Sequence, residues 1–216
     1  MIAVVDYGMG NRRSVEKALE HVGARAVITR DQAEISAADG LVVPGVGAFP
    51  LGMRRLRELG LADLIRERAA AGVPVLGICL GMQLLFERSD EIEPTEGLAL
   101  LEGHVTRLRS DGHRIPHIGW NEVSFERGSR LLQGLPAEGC AFYHVHSMAA
   151  RPGRTQDVIG TTEYGERFAT VVARDSVMGV QFHPEKSSAH GLRLLADYVR
   201  LCATPGARGL GLAAPA

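Results

Sequence analysis

The chain is expected to fold as an α/β domain, with a mainly parallel central sheet flanked by helices and with antiparallel strands added to it. Three observations lead there. Up to Glu87, short apolar runs alternate with amphipathic stretches in the order β-α-β-β-α-β-α, the signature of strands laid side by side through helical crossovers. From Leu98 to about Val172 the pattern changes to short alternating segments separated by turns rich in Gly, Asp and Arg, which reads as antiparallel strands. Between the two halves, Val73 to Glu87 spells V-P-V-L-G-I-C-L-G-M-Q-L-L-F-E, a strand, a sharp turn and the start of a helix.

Taken in order, Ile2 to Val5 is an apolar strand ending at Asp6, followed by the glycine-containing loop Tyr7-Gly8-Met9-Gly10-Asn11. That loop lacks the third glycine of a dinucleotide-binding fingerprint, so a Rossmann site is rejected. Val15, Ala18, Leu19 and Val22 then form one face of a helix that Gly23 stops. Val27 and Ile28 mark a second strand, and Leu41 to Val43 a third that ends in Pro44-Gly45-Val46-Gly47. Leu51 to Ala71 is helical in pattern and broken near Gly60; Gly72 and Pro74 return the chain to the strand Val75, Leu76, Ile78. Met82, Leu84, Leu85 and Phe86 fit the buried start of a helix, and Glu91 to Gly97 a polar loop. Antiparallel strands are expected at Gly103 to Arg109, Asn121 to Phe125, Cys140 to Ser147 and Phe168 to Arg174. Gly179 to Phe182 is a strand running into His183-Pro184-Glu185, and Ser187-Ser188 is expected to cap a last helix with Leu192, Leu195, Val199 and Cys202 on its apolar face. The expected domain covers residues 1–203. Residues 204–216, rich in Gly, Ala and Pro, read as a disordered tail.

Gly77-Ile78-Cys79-Leu80-Gly81 has the form of a nucleophile elbow, in which glycines two residues either side relieve crowding at a sharp turn. Such a turn exposes the sulfur at the carboxyl end of the sheet and aims the Leu80 N–H and the helix's positive end at it. Alone, the motif is as compatible with a buried structural thiol. The balance shifts with His183 and Glu185. Residues two apart on a strand face the same way, so these two can present a base and the carboxylate that orients it. The Pro44-Gly45-Val46-Gly47 turn adds close-approaching backbone N–H groups suited to an anion, and it too lies beyond the carboxyl end of an expected parallel strand, where open α/β sheets place their sites.

Composition narrows the class. The 216 residues suit one domain, and 45% hydrophobic residues suffice for a sizeable core. With 24 basic against 25 acidic residues the net charge is −1, which argues against a nucleic-acid or membrane-surface protein. The amino terminus has no signal-peptide pattern and no run approaches membrane-spanning length. Cys79, Cys140 and Cys202 are too few and too scattered for a disulfide framework. A cytoplasmic protein with reduced thiols is expected. His144 and His146 alternate on one strand face but lack a third ligand, a weak metal signal; no metal and no cofactor are expected. His104, His113, His117, His21 and His190 read as surface or locally hydrogen-bonded residues, and Arg54, Arg55, Arg57, Arg66 and Arg68 as solvated helix faces.

The elbow with the later His-x-Glu resembles the class I (triad) glutamine amidotransferases. Several further stretches resemble, more narrowly, the family of glutaminase subunits of imidazole glycerol phosphate synthase. They are Asp6 to Asn11 with Arg13-Ser14-Val15, Pro44 to Phe49, Gly77 to Glu87, Pro116 to Asn121, Val145-His146-Ser147, and Val180 to Ser187. The resemblance extends to about residue 202. Arg12, His144 and Met148 depart from the leucine, phenylalanine and tyrosine usual in that family. The resemblance implies hydrolysis of L-glutamine by Cys79, His183 and Glu185. It implies oxyanion donors at Leu80 and in Gly45-Val46-Gly47, and a glutamine pocket formed by Gly47, Gln83, Val145, His146, Ser147 and Met148. It also implies a heterodimer with a (β/α)8-barrel cyclase subunit that takes up the ammonia, with Asn11, Arg13, Trp120 and Lys186 near the docking edge. Subunits of other triad amidotransferases, a stand-alone γ-glutamyl cysteine hydrolase and a non-catalytic binding protein on the same fold are the alternatives.

Overall fold

A computed structural model describes residues 1–109 and 111–203; the tail expected over 204–216 lies outside the described residues. The strands and helices run β1 (Ile2–Val5), α1 (Arg12–His21), β2 (Ala26–Thr29), α2 (Gln32–Ala37), β3 (Gly40–Gly45), α3 (Phe49–Glu58), α4 (Leu61–Ala70), β4 (Val75–Cys79), α5 (Leu80–Leu84), β5 (Phe86–Ser89), β6 (Thr95–Glu96), β7 (Leu101–Arg107), β8 (His117–Phe125), β9 (Gly139–His146), β10 (Met148–Pro152), β11 (Val158–Glu163), β12 (Arg167–Arg174), β13 (Val177–Val180) and α6 (Ser188–Ala203).

The strands form one sheet. β2, β1, β3, β4 and β13 lie side by side and parallel. Beyond β13 the sheet continues antiparallel through β12 and β10 to β7, with β11, β8 and β9 branching from β12. The parallel strands are apolar throughout, Thr29 of β2 excepted, because both faces are covered. Ala3, Val5, Leu41, Val43 and Val75 pack against Met53, Leu56 and Ile65 of α3 and α4. Their neighbours Ile2, Val4, Val42, Leu76 and Ile78 pack on the other face against Val15 and Leu19 of α1 and Leu194, Leu195 and Tyr198 of α6.

Gly60, at φ +66°, separates α3 from α4 where the break is expected. Besides β6, which lies inside the expected polar loop, four features differ from the sequence reading. Between β2 and β3 lies the short α2, whose N-cap Asp31 accepts from the N–H groups of Ala33 and Glu34 at 2.8 and 3.0 Å; six residues are too few for a helical period to register. The helix after Cys79 ends at Leu84, and Phe86 opens β5 instead of continuing it. The strand expected to carry His183 and Glu185 ends at Val180, and Pro184–Lys186 is a single 3-10 turn. Finally, the hydroxyl of Ser187 does not cap α6; it donates to the His183 carbonyl at 2.6 Å and accepts from Tyr143 N at 3.0 Å. Among the described residues no helix is long and apolar enough to cross a membrane.

Candidate active site

The elbow is built by sterics. Cys79 closes β4 at φ 55°, ψ −111°, a conformation that L-residues rarely adopt. The chain folds back so tightly that a Cβ at Gly77 would stand 2.6 Å from Gly81 O and Met82 N, and one at Gly81 would overlap the Val43 carbonyl oxygen of the neighbouring strand. Only glycine fits at either place. Gly45 pairs with Cys79 across β3 and β4, so the Pro44-to-Gly47 turn leaves the sheet beside the sulfur. Gly45 is buried, while Val46 and Gly47 face outward, Gly47 at φ +103°. The buried Tyr7 hydroxyl donates to the Pro44 carbonyl at 2.7 Å and fixes the strand just before this turn.

β13 lies against β4 in parallel register, Val180 opposite Ile78, and delivers His183 to the same edge of the sheet. The His183 backbone is clamped at both ends: its N–H donates to Tyr143 O at 2.9 Å and its carbonyl accepts from Ser187. The 3-10 turn folds Glu185 back so that Oε1 lies 2.8 Å from His183 Nδ1, with side-chain exposures of 2% and 1%. Strand alternation is therefore the wrong route to a correct pairing. His183 Nε2, buried, has no hydrogen-bond partner. Burial opposes a charge on this imidazole, but attraction from the nearby Cys79 sulfur and the Glu185 carboxylate prevails and raises its pKa to about 10.

Cys79 itself is buried. Its thiol donates to the Val145 carbonyl at 3.8 Å, and Gln181 Nε2 approaches the sulfur at 3.7 Å. Gln83, on α5, donates to Met148 O at 3.2 Å and to Gln181 Oε1 at 3.0 Å. Val145 and Ser147 are half-buried and Met148 is buried on the adjoining β9–β10 segment. Leu80, buried, opens α5 next to Cys79. With only five residues, that helix brings less dipole to the sulfur than the longer one expected.

Behind Met148 lies a set of imidazoles, of which the sequence reading left His117 among surface or local residues, took His144 and His146 as a weak metal signal, and placed His146 in the implied glutamine pocket. His146 Nδ1 is 2.8 Å from the Met148 carbonyl, so it must carry the proton. His146 Nε2 then accepts from His117 Nδ1 at 3.1 Å, and His117 Nε2 accepts from Asn121 Nδ2 at 3.3 Å. His144 bonds Phe142 O and Thr170 Oγ1 at 3.1 and 3.0 Å. These nitrogens are spent on hydrogen bonds, and among the described residues no cluster of three or more ligating side chains suits a metal ion. Burial first, and then the neighbouring imidazoles, lower His144 to about 2 and His146 to about 4. Burial and His113 bring His117 to about 4. Such groups stay neutral.

The residues expected at a docking edge fall in two places. Trp120 is 55% exposed, beside the equally outward Ile118 at 58%. Tyr143, paired with Trp120 across β8 and β9, packs its ring edge-on to it and has Lys186 Nζ over the ring, 5.9 Å from its centroid. Asn11 opens α1, and Arg13 pairs with Glu16 at 2.6 Å, within one turn of the same helix. Ile118 was not singled out from the sequence; its place two residues before Trp120 on one strand was the available signal.

An elbow cysteine facing a buried His–Glu pair on a mixed α/β sheet defines a class, and the comparisons agree: the chain belongs to the class I glutamine amidotransferase family, whose description matches residues 3–201. Within the class, it is 50% identical over 208 residues to an imidazole glycerol phosphate synthase subunit HisH from Moorella thermoacetica, covering 96% of this chain and 98% of that one. A HisH subunit from Geobacillus thermodenitrificans is also 50% identical, over 92% of this chain and 95% of the relative. Among solved structures, the fold is similar to a glutamine amidotransferase at a TM-score of 0.74 and 21% identity, covering 94% of this chain and all of that one. It is likewise similar to PurLQS from Thermotoga maritima, at a TM-score of 0.72 and 22% identity over 92% and 97% of the two chains.

Proposed function

We propose that this chain is the glutaminase subunit of an imidazole glycerol phosphate synthase, with residues 1–203 as one glutamine amidotransferase domain. It hydrolyses L-glutamine to glutamate and hands the ammonia to a cyclase subunit in histidine biosynthesis. The observation that carries the reading is the His183–Glu185 contact at 2.8 Å, buried beside the elbow cysteine. An amide is a poor electrophile, so a thiolate held beside an imidazolium is the useful starting state, and the raised pKa of His183 supports it.

Cys79 Sγ attacks the γ-carbonyl carbon of glutamine. The N–H of Leu80 and those of the Gly45-Val46-Gly47 turn take up the oxyanion; one such donor is typically worth about 2.7–4 kcal/mol in the barrier. His183 gives its proton to the departing nitrogen, which leaves as ammonia, and a thioester remains. His183 then takes a proton from water, whose oxygen attacks the thioester; glutamate leaves and the sulfur is regenerated. Glu185 holds the imidazole in the tautomer that presents Nε2 to the reaction. Gly47, Gln83 and Val145 to Met148 hold the amino-acid head of the substrate.

The ammonia needs an acceptor outside this chain. The cyclase, a (β/α)8 barrel, docks on the edge that carries Cys79, with Trp120 and Ile118 as apolar contacts and Asn11, Arg13 and Lys186 as polar ones. The test is glutamate release by the chain alone, then with the cyclase and its ribonucleotide substrate, with Cys79→Ala as control. Strong activation lost in the control is expected. Partner-independent activity would point to a free-standing hydrolase, and activity retained in the control would remove Cys79 from the mechanism.

A further inference from the structure

We infer that Gln181 is a positioning residue for the nucleophile, a dedicated amide donor that holds the sulfur of Cys79 and stabilises its thiolate. The inference rests on Cys79 being the nucleophile.

The orientation of the Gln181 amide follows from a chain of constraints. Met148 offers only a carbonyl oxygen, so the group that Gln83 turns toward it must be its NH2. The same nitrogen stands 3.0 Å from Gln181, which must answer with Oε1. That leaves the Gln181 NH2 on the other side, 3.7 Å from Cys79 Sγ. The opposite orientation would set oxygen against oxygen at Met148, or nitrogen against nitrogen between the two amides.

Three features make this more than packing. Gln181 is wholly buried, in a segment otherwise composed of Gly179, Val180 and Phe182, where an apolar side chain would carry no desolvation cost. Its backbone is anchored by the bond from its N–H to Thr170 O at 2.9 Å, so the amide is held from both ends. Besides His183, its partner in the mechanism, the sulfur faces the Val145 carbonyl, which accepts from a thiol but repels a thiolate. Gln181 is the donor that becomes stronger when the sulfur ionises, as hydrogen bonds to charged groups do. It also couples the sulfur to Gln83, so a movement of Gln83 toward bound glutamine is transmitted to the donor on the nucleophile.

The test is alkylation of the full chain by iodoacetamide as a function of pH, followed by mass spectrometry of the Cys79 peptide, with the Cys140 peptide as internal reference. In the unaltered chain, Cys79 reacts preferentially. In Gln181→Leu, and in the length-matched Gln181→Met should the first fail to fold, the half-maximal pH of Cys79 alkylation rises by about one unit and glutamine kcat/KM falls about tenfold or more. The thermal midpoint is measured alongside, because a purely structural role moves stability without moving the pH profile. A folded variant with an unchanged alkylation profile overturns the inference while leaving Cys79 as nucleophile. A Cys79 no more reactive than Cys140 in the unaltered chain overturns the nucleophile reading, and this inference with it.

Discussion

His183 Nδ1 and Glu185 Oε1 lie 2.8 Å apart across one turn of 3-10 helix, and both side chains are withdrawn from solvent. Nδ1 is committed to the carboxylate, which leaves Nε2 as the ring nitrogen for the chemistry. Replacing Glu185 by Gln keeps shape and most packing but removes the charge that favours the imidazolium. Glutamine kcat/KM is expected to fall roughly 10³–10⁴-fold, in steady-state assays with the partner present, while the thermal midpoint changes little by comparison.

The glycines of the elbow are not equivalent to the glycines of the loops. Gly81→Ala forces a methyl group into the Val43 carbonyl, and Val43 cannot move away without disturbing its pairing with Gly77 across β3 and β4. A loss of about 3 kcal/mol or more, or failure to fold, is expected. Gly8, at φ +84° with open space around its Cβ position, should lose only about 1–2 kcal/mol on replacement by Ala. Urea denaturation of both variants measures the difference; equal losses would remove the steric account of the motif.

Acid should destabilise the fold through its buried imidazoles. His144, His146 and His117 fall from an ordinary 6.5 to about 2, 4 and 4 in the folded chain. Below pH 6.5 the unfolded chain takes up protons that the folded chain refuses. Their contribution is therefore complete above that pH and is lost as pH falls toward 4, at up to about 1.4 kcal/mol per pH unit for each group. His183 behaves oppositely: raised to about 10, its contribution is complete below 6.5 and fades as pH rises through 10. Urea midpoints between pH 7 and 5 should drop steeply, and His144→Phe should make that slope shallower by about one group's share.

Trp120 has little to do in the isolated chain, being more than half exposed. Trp120→Ala should alter unfolding free energy by less than about 0.5 kcal/mol, yet weaken cyclase binding about tenfold or more by calorimetry. Unchanged affinity would place the docking surface elsewhere.

What was legible in the sequence was what sterics and periodicity write locally. Gly77 and Gly81 announce the elbow because no other residue fits there, and the parallel strands announce themselves as unbroken apolar runs. α2 was hidden by its shortness, although Asp31 followed by Glu34 was a visible helix-start signal. The end of α5 at Leu84 was hidden because Leu85 and Phe86 are buried in either conformation. Gln181 and the His117–His146 pair depend on contacts between residues far apart in the chain. Only one local sign existed for the first, an amide inside an apolar strand, and none for the second.

The conformation of Cys79 has a consequence for how this chain changes over generations. At φ 55°, ψ −111°, any side chain is strained by about 1–3 kcal/mol, and glycine is not. The residue that performs the chemistry is thus also one the fold would be better off without. A copy released from the need to process glutamine would gain stability by Cys79→Gly, a change reachable by a single base substitution. Descendants that keep the architecture but have lost the activity should therefore carry glycine at this position more often than alanine or serine.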